Sequence, residues 1–181
     1  MPVTINASTS SGLVTTPDNS GTIALQSNGV TKATVSSTGF SYPGAILQVL
    51  SATDSNERAT TSTSFTANSN LLTVTITPSS VSSRFYIAVT TTGYKNTDSF
   101  GAYTIYRNST NLGNATNGMA QIQPGGYFPV AMCITDSPAT TSAITYQVYY
   151  KMIGGSGNAY LNAGQSGQPT TGAITVMEIA G

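Results

Sequence analysis

The stretch LLTVTITPSSVSSRFYIAVTTTGYKNTDSFGAYTIYR, residues 71–107, decides the fold class. Leu72, Val74 and Ile76 alternate with Thr73, Thr75 and Thr77. Phe85, Ile87 and Val89 alternate with Tyr86, Ala88 and Thr90, and Tyr103 and Ile105 alternate with Thr104 and Tyr106. A period of two places one set on each face of a sheet, so each run is a half-buried strand. Pro78-Ser79-Ser80 and the glycine-containing segments between the runs are turns.

The same signal recurs outward from this stretch. Ile46–Thr53 precedes it, with a weaker candidate at Ser62–Ala67. Met119–Gln123, Tyr127–Thr135, Ala143–Ile153, Tyr160–Asn162 and Ala173–Ala180 follow it. Phe128, Val130, Met132 and Ile134 share one face of their run; Ile144, Tyr146, Val148, Tyr150 and Met152 share one face of theirs. Val130 and Val148 are expected in the core. The strands are short and closely spaced, and no stretch supports a helix of three turns. The reading is all-β: an antiparallel jelly-roll sandwich over residues 43–181. The glycine-rich stretch 154–169 reads as an exposed loop holding one short strand.

Residues 1–42 read as an N-terminal arm. Its first 21 residues are small and polar. Thr22 to Val35 forms an extended β-hairpin, with Ile23 and Leu25 on one side of the first strand. Asn28-Gly29 supplies its two-residue type I′ turn, because both residues tolerate positive φ. Two glycines flanking Phe40 and Tyr42, followed by Pro43-Gly44, mark the joint to the next domain. A lone hairpin is marginal in water, so the arm is expected to lie against something else.

Composition narrows the chemistry. Six basic and six acidic side chains make up 7% of 181 residues, so the net charge is zero. That leaves no basic footprint for nucleic acid and no polybasic patch for a membrane surface. No apolar run approaches the length of a membrane-spanning helix, and the first residues have neither the basic nor the apolar region of a signal peptide. Asn6, Asn108 and Asn114 match the glycosylation pattern, as chance matches do in a chain rich in Asn, Ser and Thr. With no histidine, Ser-His-Asp and Cys-His arrangements and His-ligated metals are excluded. The carboxylates Asp18, Asp54, Glu57, Asp98, Asp136 and Glu178 lie in no catalytic motif, and Asp54 to Arg58 reads as a surface turn. No enzymatic activity, cofactor or metal is expected. Cys133 reads as a small buried thiol. Glu178 interrupts an apolar run; it is either a rim charge in water or an interfacial ion pair within reach of Arg84 or Arg107.

Ten tyrosines against five phenylalanines and no tryptophan favour rings with a polar tip, a composition suited to interfaces. Tyr149 is expected to share an outward face with Tyr86 and Tyr106, and that face to pack on another subunit. Low surface charge gives little repulsion between copies, which points to self-association.

PGAILQVLSAT, LLTVTITPSSVSSRFYIAV, YTIYRNSTNLG, ITYQVYYKM and ITVMEIAG together resemble the jelly-roll domains of tailed-phage virion proteins, particularly those of cyanobacterial and marine phages. The resemblance covers residues 43–181, and TITPSSVSSRFYI and VMEIAG are its most specific parts. SGTIALQSNGVTKATVSSTGF resembles the entry segment of phage fibre and capsid-decoration proteins. The resemblance implies a trimeric virion component related in architecture to tumour-necrosis-factor-like trimers, and it brings no catalytic residues. The long coiled or β-helical shafts of tail fibres are missing here. The expectation is therefore a capsid cement or decoration protein on the outer surface of the virion, assembled in the host cytoplasm and bound to the major capsid protein. Its attachment residues are expected at the hairpin: Ile23, Leu25, Asn28, Gly29 and Val30. The alternative is a receptor- or glycan-binding tip of a head or tail fibre, with a host surface glycan as partner.

Overall fold

The computed structural model describes residues 21–37 and 39–181. Most of the polar start of the arm, Asp18 and the Asn6 motif included, lies outside the described residues. The chain divides into two compact units, Met1–Pro43 and Gly44–Gly181.

In the first unit, β1 (Ile23–Ser27) and β2 (Val30–Ser36) form the expected antiparallel hairpin. Asn28 and Gly29 both have positive φ, 53° and 74°, as a type I′ turn requires. A third strand not anticipated from the sequence, β3 (Gly39–Ser41), pairs with β2. The aromatic segment read as a joint thus contributes sheet structure of its own.

The second unit is an antiparallel β-sandwich. Its strands are β4 (Ile46–Asp54), β5 (Arg58–Thr60), β6 (Thr73–Ile76), β7 (Arg84–Lys95), β8 (Phe100–Arg107), β9 (Thr110–Asn111), β10 (Ala120–Ile122), β11 (Tyr127–Asp136), β12 (Ile144–Ile153), β13 (Ala159–Leu161) and β14 (Gly172–Ile179). The pieces the sequence did not announce, β5 and β9, are too short to carry a periodic signal. Helix is confined to one 3-10 turn at Gln165–Gly167.

One layer runs β4-β14-β7, with β11 on the other side of β7; β13 and β5 extend it beyond β14. The other runs β10-β8-β12-β6, with β9 beside β8. From strand to strand the chain crosses between the layers, except from β4 to β5, from β8 through β9 to β10, and from β13 to β14. Two sheets, each apolar on one face, must bury those faces against each other. The core accordingly draws on both: Val74 and Ile76, Phe85, Ile87 and Val89, Tyr103 and Ile105, Val130 and Met132, Tyr146, Val148 and Tyr150, Ile174 and Val176. Phe85, Tyr103, Tyr146 and Tyr150 are wholly buried, and burying a large side chain of this kind contributes about 1.5–3 kcal/mol.

Two of the buried tyrosines donate hydrogen bonds, and the Tyr150 hydroxyl accepts one from Asn68 Nδ2 at 3.0 Å. The Tyr103 hydroxyl donates to the Tyr160 carbonyl at 2.6 Å, and the Tyr146 hydroxyl donates to Asp136 at 2.7 Å. Arg107 on β8 donates to both oxygens of Asp136 on β11, at 2.8 and 2.9 Å, tying the two layers together. The glycine-rich stretch is less exposed than expected: Ala159, Leu161, Asn162 and Ala163 are wholly buried, and Leu161 belongs to the core.

Candidate functional site

The carboxylates are distributed among separate structural tasks. Asp54, far from lying in a surface turn, is 2% exposed. It accepts from the backbone N–H groups of Asn56 and Leu71 and pairs with Arg58 at 3.4 Å. Its side chain closes the turn after β4 and fastens the start of the β6 run. Burial raises its pKa, but the hydrogen bonds and Arg58 outweigh this, so the carboxyl lies below its ordinary value. Asp98 accepts from Ser156 at 3.0 Å.

Glu178 is neither a rim charge nor the partner of Arg84 or Arg107. It is wholly buried on the inner face of β14, in step with Ile174 and Val176. Its carboxylate accepts from Gln48 Nε2 at 2.5 Å and from the backbone N–H of Ser79 at 2.6 Å, with the Ser79 hydroxyl at 3.1 Å. Lys95 is also wholly buried, and its ammonium donates to the Ser156 carbonyl at 2.6 Å and to Thr97 Oγ1 at 3.1 Å. It pins two loops at one end of the sandwich. Among the described residues no three His, Cys, Asp or Glu side chains converge where a metal would sit. No helix of the described residues is long and apolar enough to cross a membrane.

The distinctive surfaces are the outer faces of the two layers, and they differ. On the β10-β8-β12-β6 layer, the outward Ala102 and Thr104 are wholly buried, because the chain's own loops lie over them. Tyr106 and Tyr149 stack there at 4.0 Å between ring centroids. Phe65 approaches Tyr106 at 6.3 Å, and the Lys151 ammonium sits 4.6 Å from the Phe65 ring. Asn111 accepts from Thr104, and Gly118 is pressed so closely on the Tyr103 carbonyl that a side chain has no room.

On the other layer the outer face carries no such cover. Register sets out its rows: Val49, Met177, Tyr86 and Thr135; then Ser51, Thr175, Ala88 and Cys133; then Thr53, Ala173, Thr90 and Ala131. Tyr94, stacked on Tyr127 at 4.6 Å and 5.4 Å from Tyr160, closes one end. Across four strands the one charged side chain is Arg84, at the opposite margin.

This arrangement corrects two expectations. Tyr86, Tyr106 and Tyr149 do not share a face: Tyr86 lies outside the β7 layer, while Tyr106 and Tyr149 lie on the far side of the sandwich. Outward alternation was read correctly for each, but which layer a strand joins is decided by long-range pairing. Cys133 is exposed rather than buried. Its neighbours Met132 and Ile134 take the inner side, and nothing covers the outer one. Cys133 lies beside the Tyr86 hydroxyl and pushes that hydroxyl's pKa up.

The expected attachment residues are on the arm, and Ile23, Leu25, Asn28, Gly29 and Val30 are all exposed. A further feature had no sequence signal: an open depression of about 480 Å³ lined by Phe100, Gln121, Ile122, Gln123, Phe128 and Pro129. Its polar groups are amides, so it has hydrogen-bonding capacity but no acid, base or nucleophile. No family model matches the chain, and no curated protein matches it.

Proposed function

We propose that the chain is a structural protein of a tailed-phage virion, a cement or decoration protein that stabilises the head as a homotrimer. The observation that carries this reading is the uncovered, nearly charge-free outer face of the β4-β14-β7-β11 layer. A face of Val, Met, Tyr, Ala, Ser and Thr side chains loses little solvation when buried and offers no like-charge repulsion to a copy of itself. Packing of these faces around a three-fold axis links three arms in one assembly. Three weak contacts made together hold far more firmly than one. Joined to the major capsid protein, they fasten neighbouring subunits of the shell against the pressure of packaged DNA. The winding of the sandwich is read, in this proposal, as that of a jelly roll.

The test is deletion of residues 1–42, followed by incubation with particles lacking the native protein. The truncated trimer is expected to stay folded, fail to bind, and leave the particles fragile to heat. Decoration by the truncated protein would remove the arm from its role as anchor.

The depression at Phe100, with its flanking Gln121 and Gln123 amides, favours a second reading, a glycan-binding tip. An exposed ring and primary amides suit the apolar face and hydroxyls of a sugar. Binding of full-length protein to host cells, lost in Phe100→Ala, would put that reading in place of the first.

A further inference from the structure

The chain contains two Asn-Gly pairs, one in the arm and one in the sandwich, and their flanks nearly match: Ser27-Asn28-Gly29-Val30 against Thr116-Asn117-Gly118-Met119. Both asparagines are exposed, so access to water does not separate them. The glycine that follows each of them does. The Gly118 N–H donates to the Asn114 carbonyl at 2.9 Å, and the Asn114 N–H donates back to the Gly118 carbonyl at 3.2 Å. The Asn114 side chain accepts from the N–H groups of Thr116 and Asn117 at 2.9 and 2.8 Å. The Met119 N–H donates to the Tyr103 carbonyl at 2.7 Å, and Gly118 is wedged against that same carbonyl. Gly29 has none of these restraints. A two-residue turn bonds the residues that flank it, here Ser27 and Val30, and leaves the N–H of its second residue to water. Nothing stands within 4 Å of the place a Gly29 side chain would occupy. The strands that close the turn bury little, since Ile23, Leu25, Val30 and Val35 are all exposed. A short sheet of that kind opens locally at low cost.

We propose that Asn28-Gly29 is a self-modification site, at which the chain converts its own side-chain amide to an acid when the turn opens. Ring closure requires the peptide after Asn28 to swing out of its type I′ orientation toward the Asn28 side chain, which the closed hairpin opposes. In the open turn the Gly29 nitrogen gives its proton to a solvent base and attacks Cγ of Asn28. The N–Cγ bond forms, the Cγ–Nδ2 bond breaks, and ammonia leaves with a proton taken from water. Water then adds to one of the two carbonyls of the cyclic imide, and that carbonyl parts from the ring nitrogen. Opening at the side-chain carbonyl gives an aspartate at position 28; opening at the backbone carbonyl gives an isoaspartate. The isoaspartate lengthens the main chain by one carbon, so the Ser27–Val30 pairing no longer fits a two-residue turn. Either product adds a negative charge to an arm whose one charge among the described residues is Lys32. At Asn117 the same attack must first free the Gly118 N–H from Asn114 and draw the glycine away from Tyr103, so that pair is preserved. The chemistry needs only the hairpin and water and does not rest on the virion reading. Under that reading Asn28 and Gly29 are attachment residues, and the modification sets a lifetime on the unattached arm.

The test incubates the full chain in mildly alkaline buffer and follows both sites by peptide mapping with mass spectrometry, with isoaspartate quantified by enzymatic methylation. In the folded chain Asn28 is expected to convert about tenfold faster than Asn117 or more, the rate equivalent of one hydrogen bond that must break first. In concentrated denaturant the two rates are expected to converge, because the flanking sequences match. Val35→Asp, which sets a charge opposite Ile23 at the end of the hairpin away from the turn, loosens the arm without changing the neighbours of Asn28. It is expected to raise conversion at Asn28 to the denatured rate and to leave Asn117 unchanged. Equal rates at the two sites in the folded chain, or a ratio that persists in denaturant, would overturn the proposal. So would a rate at Asn28 that Val35→Asp leaves unchanged, since the reaction would then not follow opening of the turn. Failure of the chain to bind particles would refute the decoration reading alone, because each of these rates is read on the free chain.

Discussion

Glu178 shows how a single buried charge is held. Burial raises its pKa, yet the polar groups turned on it, Ser83, Gln48 and Ser79, bring it below the ordinary glutamate value. A carboxyl whose pKa is lower in the folded chain stabilises the fold above its unfolded pKa and loses that contribution as pH falls through the folded value. Glu178→Gln keeps one acceptor oxygen, so its amide NH2 must face a donor, either the Ser79 N–H or Gln48 Nε2. The variant is expected to lose about 1–3 kcal/mol near neutral pH. Its stability should also fall less steeply than wild type between about pH 5 and 3. Denaturant midpoints measured across that range provide the check, and identical pH slopes would exclude the role given to Glu178. The inward direction of this residue was legible in its spacing from Ile174 and Val176. Its partners were not, because Gln48 and Ser79 reach it from 130 and 99 residues away along the chain. Cys133 teaches the complementary lesson. The alternation of Phe128, Val130, Met132 and Ile134 already points it outward, and an expectation of burial required a second cover that the chain does not provide.

At the level of elements, β7 is the strand on which the sandwich depends. Its first half pairs with β14, its last residues with β13, and its whole length with β11. Gly93 lies where the chain passes from one partner to the next. A Cβ there would stand 2.5 Å from the Tyr103 hydroxyl and 2.7 Å from its ring. Gly93→Ala therefore displaces Tyr103 from the core and from its bond to Tyr160, and is expected to destabilise by about 1–3 kcal/mol. Thermal unfolding of Gly93→Ala beside a Tyr103→Phe, Gly93→Ala double variant tests this. Partial recovery in the double variant is expected, because the phenylalanine lacks the oxygen that meets the new methyl. No recovery would place the strain elsewhere. The alternating runs of β6, β7, β11, β12 and β14 made their inner faces readable from spacing alone. The loops that cover the β8 and β12 outer face were not readable, since Phe65 and Gly118 reach it through contacts without periodicity.

For the whole molecule, the uncovered outer face yields the clearest prediction. Ala88 lies at its middle, between Thr175 and Cys133. Ala88→Asp puts an unpaired charge where the proposed interface would exclude water, and is expected to yield a folded monomer by sedimentation at micromolar concentration. The same face supplies a native reporter. Cys133 should react with a thiol reagent promptly in the Ala88→Asp monomer and slowly in the wild-type assembly. Equal reaction rates, or a wild-type chain that sediments as a monomer, would refute burial of this face.

The pairing of β4 with β14 carries a consequence for biosynthesis. The central strand between β4 and β7 is also the last to be made of the fourteen among the described residues. At ordinary translation speeds, β4 waits roughly ten seconds for the strand that will cover its edge. During that interval the nascent chain presents two unpaired strand edges that only its own late residues can close. Such non-local pairing folds slowly and invites capture by neighbouring chains on the same message. The order of emergence thus favours chaperone protection of the nascent sandwich, and would place the proposed subunit association through this layer after β14 has been made.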